Sequence, residues 1–129
     1  MTHRFTCRVY YEDTDMAGIV YYANHLKFIE RARSEWVRGL GIDQGALRAD
    51  GRVFAVRRVA AEYLAPARFD DLLEVVTDPL EVGGARIRLR QEIWRGEARL
   101  FSALVDLVCL TDAGRPTRLP AELCRGGGR

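Results

Sequence analysis

A chain of 129 residues can build one hydrophobic core but not two, and 48% hydrophobic residues exclude a disordered chain. Twenty basic residues against eighteen acidic ones leave a formal charge of +2, too small to argue for nucleic acid. Cys7, Cys109 and Cys124 are odd in number and lack CxxC spacing, which argues against a disulfide framework or zinc site and for a reducing compartment.

The N-terminal residues, Met1 to Arg8, carry no apolar signal core, and no run is long enough to span a bilayer, so a cytoplasmic protein is expected. Phe5, Cys7, Val9 and Tyr11 alternate with Thr6, Arg8, Tyr10 and Glu12, the period of a strand with one apolar face. An acidic stretch follows. From about Asn24 to Leu40, the residues Leu26, Phe28, Ile29, Ala32, Trp36, Val37 and Leu40 recur at helical steps, with charges on the other side. This predicts an amphipathic helix of roughly 25 Å, with Asn24 as N-cap and Gly41 as its stop. Residues 43 to 52 read as a loop holding a short helical turn.

Val53 to Leu64 reads as a strand, and Leu72 to Thr77 as another that ends at Asp78-Pro79. Gly83-Gly84 marks a hairpin turn before Ala85 to Trp94, the cleanest alternation in the chain. After the turn at Arg95-Gly96-Glu97, Leu100 to Leu110 is almost continuously apolar, which predicts a central strand buried on both faces. Asp106 interrupts that run, either at an interface edge or as a buried, hydrogen-bonded acid. The segment from Asp112 to Pro116 closes the sheet, and Gly126 to Gly128 reads as a frayed tail. The expected class is α+β: an antiparallel sheet of about five strands wrapped around one long helix, spanning residues 1–122, with 123–129 a flexible tail.

Chemistry concentrates where the first strand hands over to the helix. Glu12, Asp13 and Asp15 precede Gly18 and a short apolar run. Unpaired N–H groups at a helix start stabilise carboxylates, and they can equally hold an oxyanion that forms during a reaction. The same aspartates are also what turns and helix starts favour on structural grounds. A calcium loop fails on spacing, because counting from Asp13 the fifth position is Ala17 and the twelfth is Asn24. An aspartate-nucleophile phosphatase would need a parallel α/β sheet, for which the alternating helices are missing.

The run Tyr11-Glu12-Asp13-Thr14-Asp15-Met16-Ala17-Gly18-Ile19-Val20-Tyr21-Tyr22-Ala23-Asn24-His25, followed by Phe28 to Glu35, resembles the hot-dog-fold acyl-CoA thioesterases. Within them it is similar to the 4-hydroxybenzoyl-CoA thioesterase group and its Tol-Pal-associated branch. The segment Ala61 to Asp71 resembles that branch too, and the likeness runs from about Arg4 to Leu119. The resemblance implies a hot-dog fold and hydrolysis of an acyl-CoA thioester without metal or cofactor. It makes Asp15 the catalytic carboxylate, as general base or nucleophile, and gives the Tyr22 N–H the task of polarising the thioester carbonyl. The Tol-Pal branch usually carries histidine where this chain has Tyr22, whereas the hydroxybenzoyl branch carries tyrosine.

Gly18 and Val20 belong to the expected substrate-binding loop, with Gly18 turning the backbone sharply. Arg86 and Arg88 are candidate contacts for coenzyme A phosphates, against the alternative of a solvated strand face shared with Arg90. Lys27 is the only lysine, an arginine bias that suits anion binding but also follows from codon usage. Asp13 is expected to be structural, His25 to sit near the helix start without a catalytic role, and Cys109 to be a small core residue. Acyl carrier protein stays open as thioester donor, and a homodimer or homotetramer is expected, because one helix covers only one sheet face. The rival reading is a hot-dog module that binds an acyl thioester or a protein partner without cleaving anything.

Overall fold

The structure, a computed structural model, describes residues 2–126. The first alternation becomes β1 (His3–Arg8), shorter than the pattern because Tyr11–Asp13 closes into a 3-10 turn. The amphipathic run becomes α1 (Asn24–Gly39), which buries His25, Phe28, Ile29, Ala32, Trp36 and Val37. Leu26, counted on the apolar face, is 41% exposed, and His25 takes the buried position beside it. The helix starts without a side-chain cap, its N-cap position being Ala23; the Asn24 amide donates instead to the Asp13 carbonyl, at 2.9 Å. The short turn expected after it is α2 (Gln44–Ala49), capped by Asp43, whose carboxylate accepts from the Gly45 and Ala46 amides.

Four long strands complete an antiparallel sheet: β2 (Arg52–Tyr63), β3 (Leu72–Gly83), β4 (Arg86–Arg95) and β5 (Ala98–Thr111), in the order β1-β3-β4-β5-β2. The meander from β3 to β5 follows the sequence pattern. Two strands depart from it. β3 does not stop at Asp78-Pro79 but runs on, with an irregularity between Pro79 and Glu81. Its pairing with β1 ends at Thr77, so Pro79 lies where β3 has a neighbour on one side only and a missing N–H costs no ladder bond. The second departure is β5, expected to be buried on both faces. Phe101, Ala103, Val105, Leu107 and Cys109 are buried under α1, while Leu104, 44% exposed, and Asp106 share the opposite, open face.

Helix and sheet are joined by an apolar cluster in which Phe28, Ile29 and Trp36 meet Val75, Leu89, Ile93, Phe101 and Val105. Each such side chain contributes about 1.5–3 kcal/mol by leaving water. A polar pin crosses this layer. Gln91, fully buried, donates to the Ile29 carbonyl and to Thr77 Oγ1, both at 2.9 Å, and its Oε1 accepts from Arg33 at 3.0 Å. Two of these bonds reach α1 and the third reaches β3, which fixes where α1 sits along the sheet.

The expected tail from residue 123 is corrected in part. Residues Ala121–Gly126 form a short helix, α3, and Leu123 is fully buried in the core beside Leu119. The remainder of that expectation, 127–129, lies outside the described residues. One long helix wrapped by five antiparallel strands is the hot-dog fold.

Candidate active site

Residues 13 to 21 fold back on themselves between β1 and α1. Asp15 N–H donates to the Ile19 carbonyl at 2.9 Å, Thr14 pairs with Val20, and Tyr21 N–H donates to the Asp13 carbonyl at 3.0 Å. The reversal needs Gly18 at φ 77°, a left-handed backbone conformation that disfavours side chains. A Cβ there would meet nothing within 4 Å, so conformation rather than close approach explains the glycine. The loop is tied to the body by Val20 N–H to the Ala67 carbonyl at 2.8 Å and by the bridge between Ile19 and Arg68.

Asp13 and Asp15 are used differently. Asp13 Oδ2 accepts from Tyr10 N–H at 2.8 Å, and its carbonyl accepts from both Tyr21 N–H and the Asn24 side chain. It is the knot of the loop. Asp15 is exposed; its Oδ1 accepts from Ala17 N–H at 2.8 Å, and among the described residues Oδ2 takes no hydrogen bond. One oxygen is therefore oriented by the backbone and the other is free to take a proton or attack.

At the start of α1, the Tyr22 and Ala23 N–H groups have no backbone acceptor among the described residues. The Ala23 N–H, at the N-cap, is one of the orphan donors a helix start carries, and the Tyr22 N–H lies one residue ahead of it. The adjoining carbonyls are all engaged. That of Tyr21 accepts from Asn24 N–H at 2.8 Å, while that of Tyr22 accepts from Tyr63 Oη at 2.9 Å and from His25 Nδ1 at 3.0 Å. The His25 ring is buried, stacked on Phe101 with centroids 5.2 Å apart and met edge-on by Tyr63 at 5.0 Å. Burial lowers the His25 pKa below its ordinary value, against the opposing pull of its backbone contacts. The neutral ring then donates through Nδ1–H. Sequence reading gave Tyr63 no role at the site, although it lies in the segment that resembles the family; it is the last residue of a strand, with no spacing that ties it to the loop.

The other expected site residues fare unevenly. Val20 is 3% exposed and packs in the core, where it anchors the loop. Its apolar side chain was legible, but not the direction in which it points. Arg86 and Arg88 do come together, with Arg57, around a cavity of about 290 Å³ on the open sheet face. They do not come together with Asp15. The site end of the sheet is marked by Ile93 opposite Phe101 and Phe101 opposite Tyr63. Arg88 and Arg86 lie five and seven residues back along β4 from Ile93, about 15–25 Å at the rise of a strand. Arg88 is also engaged: it grips Asp106 through Nε at 2.8 Å and Nη2 at 3.2 Å, with Glu81 at 3.6 Å. That hydrogen bond holds the Asp106 carboxyl below, and the guanidinium above, their usual ranges. Among the described residues Arg86 has no carboxylate at ion-pair distance.

A hot-dog sheet with a loop carboxylate before the central helix is the arrangement expected from the resemblance to acyl-CoA thioesterases. A family model described as the thioesterase superfamily matches residues 17–102. An acyl-CoA thioesterase, YbgC, of Haemophilus influenzae is 42% identical over 92% of this chain and 89% of its own length. The acyl-CoA thioester hydrolase YbgC of Escherichia coli O157:H7 is 40% identical over 93% of this chain and 91% of its own. Among solved structures, a probable thioesterase from Bartonella henselae superimposes with a TM-score of 0.88 at 38% identity, covering 93% of this chain and all of that one. The chain belongs to the thioesterase superfamily.

Proposed function

We propose that this protein hydrolyses acyl-CoA thioesters, with Asp15 as the catalytic carboxylate and the Tyr22 N–H as the donor to the thioester carbonyl. The observation that carries the reading is the pairing of an oriented, half-free carboxylate with unpaired N–H groups at the start of α1. The curated relatives at 40–42% identity, named for acyl-CoA thioester hydrolysis, support it. As general base, Asp15 takes a proton from water while the water oxygen bonds to the carbonyl carbon. The carbonyl oxygen becomes an oxyanion held by the N–H. Collapse breaks the C–S bond, and the proton on Asp15 returns to the thiolate of coenzyme A. As nucleophile, Asp15 would instead attack the carbonyl carbon and expel the thiolate of coenzyme A, forming a mixed anhydride. Water then cleaves the anhydride, regenerating the Asp15 carboxylate and releasing the acid, with the freed proton going to the thiolate. Gly18 serves either route by holding the loop reversed.

For the rest of the ligand, we assign Arg86 and Arg88 to the phosphates rather than the acyl end, Arg86 being the cation not already paired. A thioester on acyl carrier protein would present the same reacting group to Asp15. We also infer a homodimer or homotetramer. The edge of β2 pairs with nothing beyond β5 among the described residues, and Val56, at 48%, and Leu104, at 44% exposure, are left on the surface. Light scattering at micromolar concentration should give a multiple of 14.6 kDa, and a fully active monomer would refute the assembly. No helix among the described residues is long and apolar enough to cross a membrane, and three free thiols suit the cytoplasm.

The test is thiol release from a panel of aliphatic and aromatic acyl-CoAs, for wild type and Asp15→Asn. The amide keeps the shape and loses the proton acceptor, so the rate should fall by at least ~10² while acyl-CoA binding persists. A near wild-type rate in a folded Asp15→Asn protein overturns the assignment of Asp15. No thiol release by wild type from any substrate overturns the hydrolase and leaves the non-cleaving module.

A further inference from the structure

Tyr63 and His25 converge on one backbone oxygen, and nothing in the reaction outlined above accounts for them. Both donate to the Tyr22 carbonyl, at 2.9 and 3.0 Å, and their rings meet edge-on over Phe101. Tyr22 precedes the helix, whose N-cap is Ala23, and no backbone N–H among the described residues donates to its carbonyl. Two side-chain donors on an oxygen outside the helical ladder, one of them from a distant strand, are not something helix formation asks for.

That carbonyl shares its peptide plane with the Ala23 N–H, while the Tyr22 N–H belongs to the neighbouring plane, whose Tyr21 carbonyl is held by Asn24 N–H. Fixing both oxygens fixes both N–H vectors, since a peptide unit is rigid and planar. Donation to a carbonyl also polarises its own peptide and strengthens the N–H on the other side as a donor. An oxyanion donor works by being aimed before charge develops, so a loosely held peptide plane would forfeit part of the effect.

We propose that Tyr63 and His25 are positioning residues for the oxyanion-binding amides at the start of α1. Through the Tyr22 carbonyl they lock and polarise the Tyr22–Ala23 peptide, whose Ala23 N–H serves as a second oxyanion donor beside the Tyr22 N–H, and Phe101 holds the His25 ring in place. Neither residue exchanges a proton with the substrate. The Tyr63 hydroxyl stays protonated, because burial and the neighbouring Tyr22 raise its pKa further above neutrality. Neutral and protonated His25 both carry a proton on Nδ1, so the contact survives its titration. The inference rests on the amide's role in the proposed hydrolysis, but its test does not depend on Asp15.

Tyr63→Phe removes one hydroxyl from a half-exposed ring and should leave the fold intact. Turnover should fall about tenfold, a fraction of what losing an oxyanion donor outright costs, with KM and the shape of the pH profile unchanged. His25→Phe keeps a ring over Phe101 and should give a loss of similar size. The double variant should lose less than the product of the two, since both act on one oxygen. Amide NMR supplies the readout independent of turnover: the Ala23 and Tyr22 resonances should move in Tyr63→Phe, measured also in the Asp15→Asn background. Moved resonances with an unchanged rate would overturn the catalytic value of the clamp, and unmoved resonances would overturn the clamp itself. An active Asp15→Asn protein, by contrast, would remove the carboxylate assignment and leave the clamp standing.

Discussion

Asp15 and Asp106 are both aspartates flanked by residues the sequence marks for chemistry, and they have opposite fates. Asp106 faces Arg88 directly across β4 and β5, and its two oxygens are taken by a forked guanidinium. Its charge is spent within the chain. Asp15 has no cation at ion-pair distance among the described residues; the one hydrogen-bond partner of its carboxylate is the Ala17 N–H, and only one of its oxygens is used. Charge matched by charge makes a sheet surface; charge held by the main chain and left half-free suits the catalytic role proposed for Asp15. The decisive feature is what surrounds the acid, not its type.

The largest effect expected from this contrast is a difference between two identical substitutions. Asp15→Asn should cost at least ~10² in kcat. Asp106→Asn, which weakens only an exposed ion pair, should leave the rate within about twofold. Thiol release by both variants under the same conditions measures it, and comparable losses would erase the distinction between the two acids.

A smaller effect separates the two arginines of the open face. Arg86→Ala should raise KM for acyl-CoA roughly two- to fivefold with kcat little changed, the mark of a binding contact made equally in ground and transition states. Arg88→Ala should do less, because its fork is already closed on Asp106. Added salt should raise the wild-type KM and narrow the gap between wild type and Arg86→Ala. An unchanged KM in both variants would return the pair to a solvated strand face.

The elements that sequence rendered legible are those governed by local periodicity. The helix from Asn24, the hairpin at Gly83-Gly84 and the alternation of β4 each depend on residues near one another in the chain. What was missed depends on tertiary neighbours. β3 continues past Pro79 only because β1 has ended beside it, and β5 shows an open face only because a single helix covers the other. Asn24 was a reasonable cap by type, yet the Asp13 carbonyl was in reach and took its side chain. In the site, Asp15 was singled out only through the family resemblance carried by the run from Tyr11 to His25, because turns and helix starts favour aspartate on structural grounds as well. Nothing local connects Tyr63 with Tyr22, forty-one positions away, so the carbonyl clamp was invisible until the fold brought them together.

Acid should weaken the site region in a way the ion-paired face does not share. The unfolded chain binds a proton on His25 as pH falls through about 6.5, whereas burial depresses the folded pKa below that. Over that window the unfolded state carries more protons, so stability is full above about pH 6.5 and falls as pH drops toward the folded pKa. The slope is at most about 1.4 kcal/mol per pH unit. Urea unfolding at pH 7.5 and 5.5 should show the loss in wild type and a smaller one in His25→Phe. Equal losses would mean that other groups carry the acid sensitivity.

The smallest effect on activity is expected at Cys7, which reports how firmly the loop is closed. Its thiol lies under the β1 end of the site, where burial raises the pKa to about 11 against the lowering influence of Arg31, with Asp13 adding to the rise. Thiolate is the reactive species, so at pH 8 only about one Cys7 in a thousand is competent in the closed state. Cys124 is exposed, while Cys109 is buried and its pKa raised by desolvation. A thiol reagent should therefore modify Cys124 quickly and Cys7 slowly, with turnover unaffected by the first event. Asp13→Ala removes both the acceptor for Tyr10 N–H and a nearby negative charge. If the loop is tied as firmly as its hydrogen bonds indicate, that variant should speed Cys7 labelling severalfold and leave Cys124 unchanged. Fast Cys7 labelling in wild type would show a loop that opens readily, and the contrast between a locked carboxylate and a spent ion pair would not hold.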